Sequence, residues 1–132
     1  NIQSQSTSNP ASISQVAAQA ALEGDQTCIQ TMLKAFKERH DYVVAELNTI
    51  RGVKCLPSQG AFYAFPCMQG VIDVMSGIHN DVELAECLLN ETGVALVPGS
   101  AFGAEGYMRL SFATSMDNLR EALRRIKGFI NS

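Results

Sequence analysis

Three features are missing from these 132 residues, and each absence argues against a class of function. Lys and Arg number 10 against 13 Asp and Glu, for a formal net charge of -3, and no basic run offers a footprint for phosphates. That speaks against nucleic acid as a partner. No apolar run approaches the roughly 20 residues a spanning helix requires, and the opening segment Asn1 to Asn9 is polar and unlike a signal peptide. Cys28, Cys55, Cys67 and Cys87 form no Cys-x-x-Cys pair and stand apart from His40 and His79. A zinc site is therefore not expected, and the four read as reduced thiols of a cytoplasmic protein. Internal repeats and low-complexity tracts are also absent, and the lack of an initiator Met fits a fragment.

What is present describes one globular domain of ordinary size, with 46% hydrophobic and 17% charged residues, long enough to bury a core. Ser8-Asn9-Pro10 predicts a helix start, because a capping side chain accepts a free amide and proline tolerates the first turn. Ile13, Val16, Ala17, Ala20 and Ala21 then make an apolar face of small residues suited to close packing. After Gly24-Asp25, Ile29, Met32, Leu33, Phe36, Tyr42, Val43, Leu47 and Ile50 recur at helical spacing up to Gly52, predicting one long amphipathic helix. Val53–Leu56 and Ala61–Phe65 are β-prone runs separated by Pro57-Ser58-Gln59-Gly60, and residues 70–77 predict an irregular, partly mobile loop. Asn80 opens a further helix with Val82, Leu84, Ala85, Leu88 and Leu89 as its buried stripe, closed by Gly93. Residues 94–97 predict a buried strand. Thr114, Ser115 and Asp117 open a last helix carrying Leu119, Leu123, Ile126 and Ile130 on one side and Arg120, Arg124, Arg125 and Lys127 on solvated faces. His40 and His79 are expected in solvated or capping roles.

The order of elements predicts an α/β (α+β) sandwich, a small mixed sheet of about four short strands covered by helices. Within it, residues 107–115 alternate as a strand: Met108, Leu110 and Phe112 share one face, and Tyr107, Arg109 and Ser111 the other. An arginine fixed on the polar side of a strand offers a planar fork of donors that matches the two oxygens of a carboxylate. Taken alone, however, it reads first as an ordinary exposed strand arginine, and Gly60 as an ordinary turn glycine. The glycine-rich segment 99–106 lacks the Gly-Lys-Ser/Thr ending of a phosphate loop and reads as a mobile loop poised over a site.

Three separated segments resemble the C-terminal part of class I pyridoxal-phosphate-dependent aminotransferases, closest to the bacterial aspartate aminotransferases. They are Gln5-Ser6-Thr7-Ser8-Asn9-Pro10, Pro57-Ser58-Gln59-Gly60-Ala61-Phe62-Tyr63, and the block from Val97-Pro98-Gly99-Ser100-Ala101-Phe102-Gly103 to Ser115. The resemblance implies the C-terminal small domain of the fold-type I architecture over residues 10–132, with residues 1–9 as a linker or interface segment. It also implies that Arg109 binds the α-carboxylate of an amino-acid substrate. The proline-glycine loop and the turn containing Gly60 would line the mouth of the site.

Pyridoxal 5'-phosphate as cofactor of the full-length enzyme, an amino acid and a 2-oxo acid as substrates, and a homodimer follow from the same resemblance, with aspartate and 2-oxoglutarate as the substrate pair. The family holds its cofactor on a lysine in a Ser-Lys-x-x-Gly segment. Here the lysines are Lys34, Lys37, Lys54 and Lys127, and none has that context. The chain thus resembles a C-terminal domain without its N-terminal cofactor domain, inactive alone and not expected to carry the cofactor. A stand-alone, non-catalytic binding domain derived from such an enzyme is the alternative.

Overall fold

The computed structural model describes Ile2 and residues 9–132. The expectation that residues 1–9 need a partner surface to become ordered falls, but for Ile2 and Asn9, outside the described residues. The chain divides into two compact units, Asn1–Lys34 and Ala35–Ser132. In the first, α1 (Ser12–Glu23) is preceded by Ala11, which has no side chain to cap it, so the helix starts later than predicted. Gln15 instead donates to the Pro10 carbonyl at 2.9 Å. The face of α1 expected to pack closely is exposed, Ile13 at 83% and Val16 at 65%. Gly24 ends the helix, and Asp25 caps the next one, α2 (Thr27–Leu47), by accepting the Thr27 N–H at 2.9 Å.

The second unit contains the core. Three short strands, β1 (Tyr63–Ala64), β2 (Val97–Pro98) and β3 (Met108–Ser111), pair antiparallel in the order β1-β3-β2. Alternation along β3 sends Met108 and Leu110 inward, both nearly inaccessible, with Phe112 beyond the strand end on the same side. Against that face lie Val43 and Leu47 of α2, Val71 and Ile72 of α3 (Gln69–Ile72), Leu84 and Leu88 of α4 (Asp81–Thr92), and Leu119, Leu123 and Ile126 of α5 (Met116–Ile130). The helices cover one face of the sheet, and that is how an amphipathic helix and a half-buried sheet exclude water together.

Two expectations change at this level. Every pairing among the described residues is antiparallel, and the run Val53–Leu56 contributes one bridge, Lys54 to Cys67, in place of a fourth strand. The cause is Asn48: its side chain accepts the Cys55 N–H and donates to the Cys55 carbonyl, both at 2.9 Å, so these groups need no ladder partner. Residues 94–97 are likewise not a buried strand, since pairing starts only at Val97, on an edge, with Val97 37% exposed. Residues 70–77 are less irregular than predicted, because α3 buries Val71 and Ile72 within them.

Local chemistry fixes the helix ends near the sheet. Asn80 accepts the Glu83 N–H at 2.9 Å to start α4, and Gly93 closes it in the left-handed conformation, φ 70°. On α4, Leu84 and Leu88 are buried while Val82 and Leu89, expected in the same stripe, are about half exposed. Ser115 caps α5 by accepting the Asn118 N–H at 3.2 Å.

Candidate active site

Arg109 sits in the middle strand on the face away from the helices, opposite Val97 in the register, with Tyr63 paired to Ser111 two residues along. The side chains of Arg109 and Tyr63 therefore rise on one surface, as diagonal cross-strand neighbours do. The guanidinium carbon lies 4.5 Å from the ring centroid of Tyr63 and 4.5 Å from that of Phe102. Stacking of this kind occupies the flat faces of the guanidinium and leaves its N–H edge for hydrogen bonds. Among the described residues, no carboxylate pairs with Arg109 and no hydrogen bond takes its N–H groups, which are open to solvent.

The arginines of α5 behave differently. Arg124 and Arg125 both hold Glu121 at 2.8 Å, and Arg120 reaches Asp117 at 3.5 Å. The hydrogen bonds from Arg124 and Arg125 keep the Glu121 carboxyl well below its ordinary range, at about 2. These are exposed pairs within one helix turn, worth little to stability. Arg39 and Arg120 each lie over one ring, Phe36 at 5.5 Å and Tyr42 at 5.9 Å, whereas Arg109 has two rings at 4.5 Å with its donors unspent, an arrangement that suits a carboxylate ligand.

Phe102 reaches Arg109 from the connection between β2 and β3, whose first residues form a short 3-10 helix, Gly99–Phe102. The connection closes on itself: Gly99 N–H donates to the Tyr107 carbonyl at 2.8 Å, and Ala104 N–H to the Gly99 carbonyl at 3.0 Å. A side chain at Gly99 would meet the Tyr107 carbonyl oxygen at 2.7 Å and its Cβ at 2.8 Å, so glycine is required there by close approach. Outside this loop lies Asp81, the first residue of α4, only 1% exposed, whose carboxylate accepts the Ser100 N–H at 2.7 Å. Burial raises the pKa of that carboxyl, but hydrogen bonds from Ser100 and Gly106 outweigh it and hold the group below the usual aspartate range.

Tyr63 is supported from the other side. The loop before β1 is held by His40 of α2, whose Nε2 accepts the Ser58 N–H at 3.0 Å while Nδ1 meets Asp41 Oδ1 at 3.0 Å. An Nε2 that accepts a backbone amide carries no proton, so the hydrogen bonds assign the proton to Nδ1. The imidazole is 13% exposed and rests edge-on against Phe112 at 5.8 Å, so His40 is neither solvated nor a helix cap as predicted. His79 is solvated, its side chain 78% exposed with its backbone N–H donating to Glu83 at 2.8 Å, and the cap of α4 is its neighbour Asn80.

Gly60 lies exposed in the same loop, three residues before Tyr63. An added Cβ there meets nothing within 4 Å, and the left-handed residue is its neighbour Ala61, φ 61°. The chain's own packing thus makes no demand for glycine at position 60. Neither Asp81 nor His40 was marked by the sequence as part of this region. Asp81 stood in a helix-start pattern beside Asn80, and the burial that distinguishes it comes from a loop 19 residues away.

A cofactor held as a Schiff base would need a lysine inside a built cavity. Lys37 is exposed and paired with Asp41 at 2.7 Å, Lys127 lies 3.8 Å from Glu46, and Lys34 and Lys54 are exposed. The surface cavities beside Asp81, Ile13 and Arg125 have no lysine in their lining. This chain's own residues therefore do not fit the covalent end of such a cofactor. No described helix is long and apolar enough to cross a membrane.

Comparison with known proteins places this geometry. The pattern of the family "Aminotransferase class I and II" matches residues 1–126. Over 136 aligned residues the chain is 54% identical to "Aspartate/prephenate aminotransferase" of Nitrosomonas europaea, covering 99% of this chain and 34% of that protein. The crystal structure of the aspartate aminotransferase from Rhizobium meliloti superposes with a TM-score of 0.89 at 42% identity, over 98% of this chain and 34% of that one. An alanine aminotransferase from Pyrococcus furiosus gives a TM-score of 0.84 at 34% identity, over 92% of this chain and 30% of its own. The chain spans about a third of the length of the curated relatives it matches. The match over residues 1–126, with these relatives, shows that the chain belongs to the aminotransferase class I and II family.

Proposed function

We propose that the chain is the C-terminal, substrate-carboxylate-binding domain of an amino-acid transaminase, and that Arg109 holds the α-carboxylate. The observation that carries this reading is the guanidinium stacked over Tyr63 and Phe102 with its N–H groups open to solvent. Fixing a carboxylate there orients the substrate through paired, charge-assisted hydrogen bonds, an orientation effect and not acid–base chemistry. Gly60 belongs to the same mouth, where the absence of a side chain leaves room for a ligand.

Pyridoxal 5'-phosphate, when bound, supplies the electron sink of the reaction. Its lysine and its phosphate partners belong to the length by which the relatives exceed this chain, in the first part of a longer protein that works as a cytoplasmic homodimer. Residues 1–9 are the linker or interface segment of that assembly, and residues 10–132 the small domain. Aspartate and 2-oxoglutarate are the proposed substrates, and the name of the Nitrosomonas relative supports aspartate and adds prephenate, also a 2-oxo acid.

Purified chain given pyridoxal phosphate, aspartate and 2-oxoglutarate makes no oxaloacetate above a cofactor-only control. The same segment within the longer reading frame does. Saturable turnover by the 132 residues alone, or none by the longer protein, overturns the proposal.

A further inference from the structure

The Asp81 carboxylate is a buried charge at a helix start that already has its cap. Asn80 takes the Glu83 amide, and Glu83 in turn takes the His79 amide, so the capping contact of α4 is made by Asn80 and not by Asp81. The carboxylate instead points to another segment. Ser100, whose N–H it accepts at 2.7 Å, is the second residue of the 3-10 helix Gly99–Phe102. The first amides of such a turn have no partner within it, and an acceptor brought from elsewhere in the fold serves as their cap. Two residues after Ser100 comes Phe102, the ring over Arg109.

From this placement we infer that Asp81 is a positioning residue for the candidate site: by capping the 3-10 turn it sets Phe102 against Arg109 and thereby orients the guanidinium. The loop has other ties: Gly99 bonds to Tyr107, Gly103 to Ser100, Gly106 accepts the Met68 N–H at 2.7 Å, and Phe65 meets the Phe102 ring edge-on at 6.4 Å. Asp81 is the side chain from outside the loop that holds the backbone of the turn carrying the ring, and its carboxylate also takes a bond from Gly106. Without the carboxylate, the Ser100 N–H loses its acceptor, and an unsatisfied amide in a half-buried place drives the turn to a new conformation.

The inference leans on the proposed function only for what Arg109 holds, and its test needs no substrate. In the isotope-labelled chain, ring currents from Tyr63 and Phe102 displace the Arg109 Nε–H resonance, and Phe102→Leu measures the share due to Phe102. Asp81→Ala is expected to lose that same share, with no further loss in the double variant Asp81→Ala/Phe102→Leu. Asp81→Asn, which keeps an acceptor oxygen, retains most of it, whereas the methyl resonances of Leu84 and Leu88 stay in place in all variants. Should Asp81→Ala not fold, Asp81→Glu keeps the charge but moves the carboxylate by one methylene and is expected to lose part of the share. An Arg109 resonance unchanged in either folded variant overturns the inference. Aspartate is added afterwards: a displaced Arg109 resonance supports carboxylate binding, and its absence counts against that reading while leaving the anchoring result intact.

Discussion

The loop after β2 and the loop before β1 each bring one aromatic ring to Arg109, yet they are held by opposite means. Residues 98–107 close on themselves through backbone bonds and are tied to α4 by a buried carboxylate. Residues 57–62 have one described side-chain tie, the imidazole of His40 on the Ser58 amide, and contain the left-handed Ala61. A left-handed alanine costs on the order of 1–3 kcal/mol and persists because the surroundings impose it. The difference teaches that Arg109 is set against one wall whose loop is closed by its own backbone and a buried carboxylate, and another whose loop is held at its end by strand pairing and the Phe112 amide on Phe62, with one imidazole contact further out.

The largest effect is expected where both walls converge. Replacing Arg109 by Lys in the complete enzyme removes the planar fork and the stacking together, since an ammonium presents neither. Loss of a charge-assisted bidentate contact is worth about 2–4 kcal/mol, or about 30- to 1000-fold in kcat/KM. Urea unfolding of the Arg109→Lys chain should be almost unchanged, because the side chain faces away from the core. Wild-type kinetics in a folded variant would place the carboxylate elsewhere.

Next in size is a substitution confined to the close-packed wall. Gly99→Ala sets a methyl group against the backbone of Ala104 and Tyr107, and backbone cannot yield as a side chain does. A loss of about 1–3 kcal/mol in unfolding free energy is expected, the usual cost of overpacking. An unchanged melting temperature would show that the loop after β2 is not the tight element described.

Acidification probes the close-packed wall without mutation. Asp81 has a folded pKa below the aspartate value of 3.8, so its contribution is complete above that value and lost only as pH falls through the lower, folded one. Groups around Asp81 complicate the local charge, since His79, Glu83 and Glu105 line the same surface cavity of about 610 Å³. Glu83 is held low by His79 and stays ionised through the early part of the titration. The protection factor of the Ser100 amide, corrected for the intrinsic exchange rate, should therefore hold until pH falls below the ordinary aspartate range and drop only there. Protection lost at higher pH would contradict the assigned anchor.

This contrast between the walls was only half legible in the sequence. Residues 107–112 announce their two faces by strict alternation, and Asn80, Gly93 and Ser115 announce helix ends, because each acts within a few residues of itself. The resemblance supplied Arg109 and the two loops, but not what holds them. Asp81 acts across 19 residues, His40 across 18 and Asn48 across 7, and a side chain that meets its partner only after folding leaves no periodic trace. The same contacts explain the miscounted strands: Asn48 satisfies the backbone of Cys55, so a β-prone run remains a bridge.

The smallest effect is expected at Gly60, in the loosely held loop. Its backbone is not left-handed, and an added methyl group meets open space, so Gly60→Ala should change unfolding free energy by no more than about 0.5 kcal/mol. Gly99→Ala in the other loop makes the direct contrast, the same methyl group added against backbone with a cost several times larger. If Gly60→Ala leaves stability alone yet raises KM for aspartate in the complete enzyme, the methyl group has met a ligand and not the protein, which would make Gly60 part of the binding mouth. If stability and KM are both unchanged, Gly60 is a turn residue, and the mouth of the site is drawn by Tyr63 and Phe102 alone.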